Sequence, residues 1–302
     1  MPELPEVETI RRQLGGVLSG QKVVAVDVRR AKSFGGKKSQ MVGKKIKGVG
    51  RKGKMVVVDL GDPHLLIHLK MTGQLIYQEK KNTEVDEPHF KDHRVHMKFG
   101  GRIIGGHPTA SWISKLPDKH TRIVIKLSRG TLYFNDMRVF GWIKVVDNAE
   151  LQRLNAKLPP DIIDREMDEE AFYKILQGSA RAVKLVVMDS TKIGGVGNIY
   201  ANDGLWKARI DPGRQAKSLG RVESDRLLLA LKAVVRLGIK LGGATASDQK
   251  FVQTTGLGGK YQEHFLTYER EGEKCKRRSC VGVIRKIKLG GRGTYSCPKC
   301  QK

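Results

Sequence analysis

The chain has 302 residues, 39% of them hydrophobic, and it carries 57 Lys and Arg against 31 Asp and Glu. This composition predicts a folded, soluble protein, and the formal net charge of +26 predicts an anionic partner, for which nucleic acid is the usual candidate. A ribosome-associated protein or a generally basic surface would show the same excess of charge. No stretch approaches the roughly 20 apolar residues that span a bilayer, and residues 1–20 lack a hydrophobic signal segment, so we expect a cytoplasmic protein.

The first predicted element is a short helix, and a proline at position 2 precedes it in the chain. Removal of Met1 would leave Pro2 with a free secondary amine, which is a nucleophile because an α-amino group titrates near pH ~7.7–8.0. Glu3 beside it is suited to moving protons at a reacting centre. The alternative is that Pro2 merely precedes a helix over residues 5–14, which Gly15-Gly16 would end.

Short β-branched runs from Lys22 to Val146 predict seven strands and therefore a β-sandwich or barrel. The runs cover residues 23–28, 55–60, 65–69, 95–99, 123–127, 131–134 and 142–146, with a hairpin turn at 128–130. Residues 78–118, rich in Lys, Glu, His and Gly, are interpreted as a partly strand-like excursion between strands.

Helical spacing of apolar residues begins after about residue 148 and predicts a second, helical domain. The helices are expected over 149–155, 168–177 and 224–241, the last of them starting at a Ser224-Asp225 cap and ending at Gly242-Gly243. Residues 244–259 are glycine-rich at their end and are interpreted as a loop.

All four cysteines lie in the last 28 residues, as Cys275-x4-Cys280 and Cys297-x2-Cys300. This distribution excludes a disulfide framework for the whole chain. Two close pairs joined by a hairpin-length insert can place four thiolates around one zinc ion, and four protein ligands make such a zinc structural. The cations between the pairs suit a DNA backbone. Four free thiols in a reducing cytosol are the alternative.

Three further segments are candidates for nucleic-acid contacts. The turn from Gly194 to Gly197 before a helix can bind phosphate through backbone N–H groups, although such turns are often only structural. Met71 and Phe140, which flank an arginine, can insert into a duplex, or they are core residues. Lys54 is either a phosphate contact or a solvated charge.

The set of motifs resembles that of bacterial formamidopyrimidine-DNA glycosylases in the same order and over essentially the whole chain. The motifs are Pro2–Thr9, His68–Gly73, Asp136–Gly141, Gly195–Ala201 and the cysteine tail. The resemblance implies an α+β multidomain protein with an N-terminal helix and β-sandwich, a helix-two-turns-helix domain and a C-terminal zinc-finger hairpin. The expected domain boundaries are 1–147, 148–262 and 263–302, with damaged double-stranded DNA bound in the cleft between the two halves.

The resemblance also implies roles for individual residues. Pro2 matches the N-terminal nucleophile, Glu3 the proton-transferring carboxylate, Lys54 an active-site lysine, and Arg292 the arginine associated with the final elimination. Met71, Arg138 and Phe140 match the residues that fill the gap left by the flipped base. Asn198 matches a phosphate-binding asparagine. The expected DNA contacts also include His120, Arg181 and Lys184, and the expected zinc ligands are Cys275, Cys280, Cys297 and Cys300.

The chemistry implied by the resemblance is excision of an oxidised purine, such as 8-oxoguanine or a formamidopyrimidine, through a Schiff base at Pro2 and β,δ-elimination. A structural zinc ion is the one cofactor, and a monomer is expected. Two features depart from the family pattern: the first cysteine pair is two residues wider, and the 78–118 excursion is longer. The alternatives are an endonuclease VIII type that acts on oxidised pyrimidines, which typically has Gly where this chain has Leu4, and a non-catalytic zinc-containing nucleic-acid binder.

Overall fold

The structure is a computed structural model, and it describes residues 2–80, 102–106, 115–244 and 259–302. The chain divides into two compact units. Of the described residues, the first contains Pro2, 6–80, 102–106 and 115–156, and the second contains 3–5, 157–244 and 259–302. Within the described residues, no helix is long and apolar enough to cross a membrane.

Two five-stranded sheets form the body of the first unit, as the sequence predicts for a sandwich. The first sheet has the order β1-β8-β9-β6-β7, and the second has the order β2-β10-β5-β4-β3. Neighbouring strands are antiparallel except β10 and β2, which are parallel. The strands are β1 Val23–Val28, β2 Phe34–Gly35, β3 Gly48–Lys52, β4 Met55–Asp59, β5 His64–His68, β6 Gly73–Glu79, β7 Arg102–Gly106, β8 Thr121–Leu127, β9 Gly130–Asp136 and β10 Trp142–Val146.

Alternating burial along the strands explains why this sequence forms a sandwich. In β4, for example, Val56 and Val58 are buried, while their neighbours are half-buried. These buried side chains join one core to which both sheets contribute. The hairpin turn predicted at 128–130 lies between β8 and β9 as expected.

Helix α1, Leu4–Leu18, is longer than the sequence predicts. It continues through Gly15-Gly16, where the prediction ends it, because Val17 and Leu18 are buried in the sandwich core. Burial of these two apolar side chains outweighs the roughly 1 kcal/mol by which each glycine disfavours a helix. The prediction of the helix end is therefore wrong, and that of the helix itself is confirmed.

The second unit is largely helical. Its helices are α2 Asn148–Lys157, which begins in the first unit, α3 Glu169–Gln177, α4 Val183–Val187, α5 Asn198–Ala208 and α6 Arg221–Lys240. Asp168 caps α3, since its side chain accepts a hydrogen bond from the N–H of Ala171. The predicted Ser224-Asp225 cap is wrong, because α6 begins three residues earlier with Gly220 as its N-cap.

Helix α5 is the centre of the second unit, and nearly all of its side chains are buried. It packs closely on α6 because Gly204 lacks a side chain: a Cβ there would lie 2.5 Å from Cδ2 of Leu231. The C-terminal hairpin pairs β11, Arg285–Leu289, with β12, Arg292–Ser296. Its two-residue turn is Gly290-Gly291, and both residues have positive φ, which suits the right-handed twist of a hairpin.

Some predicted elements lie outside the described residues. They are the strand at 95–99, most of the rest of the 78–118 excursion, and nearly all of the loop predicted at 244–259. Within the excursion, the structure describes β7, which the sequence analysis does not identify as a strand.

Candidate active site and zinc centre

Glu3 is buried at the N-terminus of α5, directly after the candidate nucleophile Pro2 in the chain. Its Oε1 accepts a hydrogen bond of 3.0 Å from the N–H of Ile199, in the first turn of that helix. The partial positive charge at a helix N-terminus favours a carboxylate there. The N–H of Leu4 also donates to the carbonyl of Gly195 at 3.1 Å. The turn before α5 and the first residues of that helix therefore fix the position of Glu3.

The glycines of this turn provide the space that Glu3 and Leu4 occupy. A Cβ at Gly197 would lie 2.6 Å from Oε2 of Glu3. Gly195 has φ +88°, and a Cβ there would lie 2.9 Å from Cβ of Leu4. The sequence analysis interprets this turn as a phosphate site or a structural turn. In the structure, Gly195 and Gly197 of this turn lie against Leu4 and Glu3.

Asn198 is the first residue of α5 and is half-buried. Its side chain interacts with the hydroxyl of Tyr268, a residue that no sequence motif indicates. Burial, followed by the nearby carboxylates of Glu269 and Glu3, raises the pKa of Tyr268 above its usual value, so the phenol stays protonated. Tyr268 follows a chain segment with no periodic signal, and only the fold brings it to α5.

Lys184, expected among the DNA contacts, is completely buried on α4. Its Nζ donates hydrogen bonds to the carbonyl of Gly293 at 2.9 Å and to Oγ1 of Thr294 at 2.7 Å, both in β12. The pKa of this lysine is lowered to about 7, mainly by burial. The carboxylate of Glu3 partly offsets this effect, and the positive charge of Arg292 adds to it. Glu3, Lys184 and Arg292 are thus close enough to influence one another, and Lys184 holds the strand that begins at Arg292.

Arg181 lies at the surface just before α4, and about half of its side chain is exposed. Its Nη1 lies 2.9 Å from Oδ2 of Asp189. A hydrogen bond from Thr191 and the Arg181 guanidinium lower the pKa of Asp189. Arg181 therefore forms an ion pair within its own unit.

The first unit brings Met71, Arg138 and Phe140 together at its surface. Met71 and Phe140 are 41% and 51% exposed. The Arg138 guanidinium carbon lies 5.3 Å from the centre of the Phe140 ring, and Nη1 of Arg138 lies 3.5 Å from Sδ of Met71. The alternative that Met71 and Phe140 are core residues is therefore wrong. Both lie in loops: residues 69–72 separate β5 from β6, and residues 137–141 separate β9 from β10.

A buried carboxylate holds these two loops together. Asp136 is 1% exposed, and its Oδ1 accepts from the hydroxyl of Thr72 and, at 3.1 Å, from the N–H of Arg138. Its Oδ2 accepts from the N–H of Gly141 at 2.7 Å. The loop includes Val139 at φ 57°, which is rare for a β-branched residue and is tolerated where the surrounding bonds fix the backbone.

Two other predicted residues, Lys54 and His120, are half-buried in the first unit. Lys54 lies in the turn between β3 and β4. It contributes to the environment of His68, whose pKa is lowered to about 4 by burial, by Lys70 and by Lys54. His120 accepts the N–H of Asp136 at its carbonyl, at 2.9 Å, and is thereby linked to the loop residues above.

The four cysteine sulfurs all lie within 4.8 Å of one another. The Sγ distances are 3.8 Å for Cys275 and Cys300 and 3.6 Å for Cys280 and Cys297. A tetrahedron with Zn–S bonds of about 2.3 Å has edges of about 3.8 Å, so the cluster fits a zinc ion. Nε1 of Trp206 donates to Sγ of Cys275 at 3.3 Å, which links the cluster to α5.

The wider first cysteine pair is accommodated by a bulge that Arg277 anchors. The guanidinium carbon of Arg277 lies 4.5 Å from the centre of the Trp206 ring, and its Nη2 donates to the Trp206 carbonyl at 2.8 Å. The two additional residues between the cysteines therefore do not disturb the sulfur cluster.

Comparison with known proteins identifies the family. Models of the formamidopyrimidine-DNA glycosylase N-terminal domain and H2TH domain match residues 1–143 and 158–250, and a model of the zinc finger found in FPG and IleRS matches residues 272–302. The formamidopyrimidine-DNA glycosylase of Pelotomaculum thermopropionicum is 36% identical, covering 100% of this chain and 99% of its own, and that of Lactococcus lactis subsp. cremoris is 31% identical, covering 100% of both.

Solved structures agree with this match and confirm the predicted fold class. Lactococcus lactis Fpg in complex with DNA that contains an abasic site has a TM-score of 0.79 at 29% identity, covering 100% of both chains. The MutM (Fpg) protein of Thermus thermophilus has a TM-score of 0.78 at 33% identity, covering 99% of this chain and 98% of its own. The chain therefore belongs to the formamidopyrimidine-DNA glycosylase family and is a DNA glycosylase with a structural zinc ion in its C-terminal finger.

Proposed function

We propose that this glycosylase excises oxidised purines from duplex DNA and then cuts the strand as an abasic-site lyase, with Pro2 as the nucleophile. The observation that carries the proposal is the fixed position of Glu3, which is buried at the start of α5 and adjoins Pro2 in the chain. A carboxylate held next to an amine is suited to exchanging protons with the reacting sugar. The names of the solved relatives, which include complexes with abasic-site DNA and with Fapy-dG DNA, support this substrate class.

The reaction begins when the lesion is flipped out of the base stack. The Pro2 nitrogen attacks C1′ of the sugar, and the bond from C1′ to the base breaks. Glu3 accepts the proton that the Pro2 nitrogen loses, and the departing base takes a proton from water. Glu3 then donates a proton to O4′ as the sugar ring opens to an iminium. The iminium accepts the electrons released when the C2′ proton leaves, so the bond to the 3′ phosphate breaks. A second elimination breaks the bond to the 5′ phosphate, and hydrolysis of the remaining adduct frees Pro2.

Residues of both units are assigned to DNA binding in this proposal. Met71, Arg138 and Phe140 fill the gap left by the flipped nucleotide, because two exposed apolar side chains and a cation in mutual contact suit insertion into a base stack. Asn198 binds phosphate at the N-terminus of α5. Lys54, His120, Arg181 and Arg292 supply further contacts, with Arg292 assisting the last elimination.

The burial of Lys184 favours a different role from the direct DNA contact expected from the sequence. We assign it to positioning Arg292, since its Nζ is bonded to the residue after Arg292 and to Thr294. The zinc ion supplies no chemistry in this reaction, and its four cysteines hold the finger that carries the β11–β12 hairpin. A monomer is sufficient for the proposed reaction.

The proposal is tested with three duplexes that carry 8-oxoguanine, an oxidised pyrimidine or an abasic site. Each is incubated with the protein in borohydride, which reduces the iminium to a stable covalent adduct. We expect adducts with the 8-oxoguanine and abasic-site duplexes and much less with the pyrimidine lesion. A preference for the pyrimidine lesion would indicate the endonuclease VIII type, and no adduct on any duplex would contradict the lyase mechanism.

A further inference from the structure

A lysine-rich segment of the first unit contains Lys54, which is assigned a DNA contact, and ten other cations that have no assigned role. Residues 29–58 contain eleven of the chain's 57 Lys and Arg and none of its 31 Asp and Glu. Several of these cations lie on the loop between β2 and β3. We define the lysine surface as this loop's exposed lysines together with Lys22, which precedes β1: Lys22, Lys37, Lys38, Lys44, Lys45 and Lys47.

The loop is held in one conformation although it has little regular structure. Met41 and Ile46 are 0% and 3% exposed and belong to the sandwich core. The N–H of Val23 donates to the carbonyl of Lys44 at 2.9 Å, and the N–H of Ile46 donates to the carbonyl of Gln21 at 2.8 Å. The loop is therefore already ordered in the folded protein, and binding of a partner does not have to offset the entropy cost of ordering it.

The backbone pairing between this loop and the residues before β1 places two lysines opposite each other. Lys22 and Lys45 form an antiparallel β-bridge. Residues directly opposite in such a pair have Cβ atoms about 5 Å apart, and like charges there are destabilising. Lys44 and Lys47 lie close to Lys45 in the chain and add to the positive electrostatic potential of this surface.

The carboxylates that the structure describes in the first unit form no ion pair with the lysine surface. Among the described residues, none of its six lysines forms an ion pair. Two acidic residues flank segment 29–58, and neither forms an ion pair with a residue of the lysine surface. Asp27 pairs with Arg29 at 3.1 Å, and Oδ1 of Asp59 accepts the N–H of Gly61 at 2.7 Å. Fixed, uncompensated cations of this density fit a partner with repeated negative charge.

We propose that the lysine surface is an additional binding site for the DNA backbone, separate from the residues that read and process the lesion. Its ligand is the phosphate array of undamaged duplex DNA, which cations bind without regard to sequence. Such a site raises the affinity for DNA that carries no lesion. The inference extends the family's DNA binding and does not depend on the choice of lesion or on Pro2.

The test compares two variants that lose the same charge. The first changes Lys22, Lys44, Lys45 and Lys47 to Gln, and the control changes Lys126, Lys157, Lys207 and Lys240, which are also exposed, to Gln. Binding to an undamaged duplex of about 30 base pairs is measured over a range of salt concentrations. Each lost phosphate contact reduces the slope of log K against log salt by about 0.9, so we expect the first variant, which loses four cations, to lose about 3.6 in slope and the control less than about 1.

Equal slopes for the two variants would overturn the proposal, because the effect would then be one of net charge alone. The rate of strand cleavage with saturating abasic-site duplex distinguishes this site from the active site. We expect that rate to be unchanged in the first variant. A loss of that rate without a change in slope would also overturn the proposal, and would leave the proposed chemistry at Pro2 intact.

A second measurement needs no DNA. If Lys22 and Lys45 repel each other without compensation, the single variant Lys22→Gln melts at a higher temperature than the unmodified protein in low salt, and the difference shrinks in high salt. A lower melting temperature in low salt would mean that protein groups stabilise the pair, and would remove the reason for an anionic partner.

Discussion

Glu3 is held at the start of α5 by contacts that leave no room for a side chain at Gly197. One oxygen of the carboxylate is bonded to the N–H of Ile199, and a Cβ at residue 197 would lie 2.6 Å from the other oxygen, closer than contact allows. In the proposed mechanism this carboxylate protonates a sugar oxygen, and misplacement of a catalytic group by an ångström can reduce a rate about 100-fold. The proposed chemistry therefore requires glycine at position 197.

Gly197→Ala is therefore expected to reduce the single-turnover rate of base excision by about 10- to 100-fold while DNA binding changes little. The matched control is Gly220→Ala, at the N-cap of α6, where an added Cβ meets no atom within 4 Å. Single-turnover excision and binding to an uncleavable abasic-site analogue are measured for both. Full activity of Gly197→Ala would show that the position of Glu3 is not critical.

Lys184 gives the stability of the fold a specific dependence on pH. Its pKa is lowered from 10.5 to about 7 by burial, so between these values the unfolded chain binds a proton at this residue and the folded chain does not. The resulting destabilisation is fully present below pH 7 and disappears as the pH rises toward 10.5. Its slope is up to about 1.4 kcal/mol per pH unit.

The free energy of unfolding in urea is expected to rise more steeply between about pH 7.5 and pH 9.5 in the unmodified protein than in Lys184→Met. Loss of general charge repulsion contributes equally to both, so the difference in slope reports Lys184. Lys157→Met, at an exposed position, is the control and should keep the slope of the unmodified protein. Equal slopes in all three proteins would mean that Lys184 is charged in the folded state at neutral pH.

At the scale of elements, helix α1 shows how packing overrides local preference. Gly16 is exposed in the interior of this helix, and a Cβ there would meet no atom within 4 Å. Gly16→Ala is therefore expected to stabilise the protein by about 0.5–1 kcal/mol, because alanine loses less backbone entropy in a helix. Gly20→Ala is the contrasting change: Gly20 has φ +83°, so alanine there should destabilise. Urea unfolding of both variants measures the difference, and the prediction fails if Gly16→Ala is the less stable of the two.

The burial and composition of each strand explain whether the sequence predicts it. Strand β4 is predicted correctly because its run of valines, residues 56–58, is recognisable in the sequence. Strand β6 is missed because both of its faces are buried: Leu75 and Tyr77 face the main core, while Ile76 joins a smaller cluster with Val124 and Tyr133. Strand β3 is missed because its sequence, GVGRK, has the composition of a loop.

The candidate site could be predicted only where its residues carry a chemical motif. Pro2, Glu3 and the cysteines are recognisable by type and spacing. The supporting residues are not, because burial depends on the fold: nothing local indicates that Lys184 is 0% exposed or that Asp136 holds two loops together. Tyr268 reaches Asn198 from a segment without a pattern.

At the scale of the whole molecule, the proposed chemistry depends on the first residues of the chain, while the proposed DNA contacts come from residues of both units. The large positive charge favours association with any duplex, so binding alone does not establish the reaction. The decisive question is which amine forms the iminium. The many lysine side chains of so basic a protein would compete only if one were placed at the sugar, and a chain that retains Met1 has no free proline nitrogen.

The most direct test traps the reaction on an abasic-site duplex with borohydride and maps the adduct by peptide mass spectrometry. The account predicts a single adduct on the nitrogen of Pro2, none in protein that retains Met1, and a loss of at least about 100-fold in Pro2→Gly. An adduct on a lysine, or undiminished trapping by the chain that retains Met1, would contradict the assignment of Pro2 as the nucleophile.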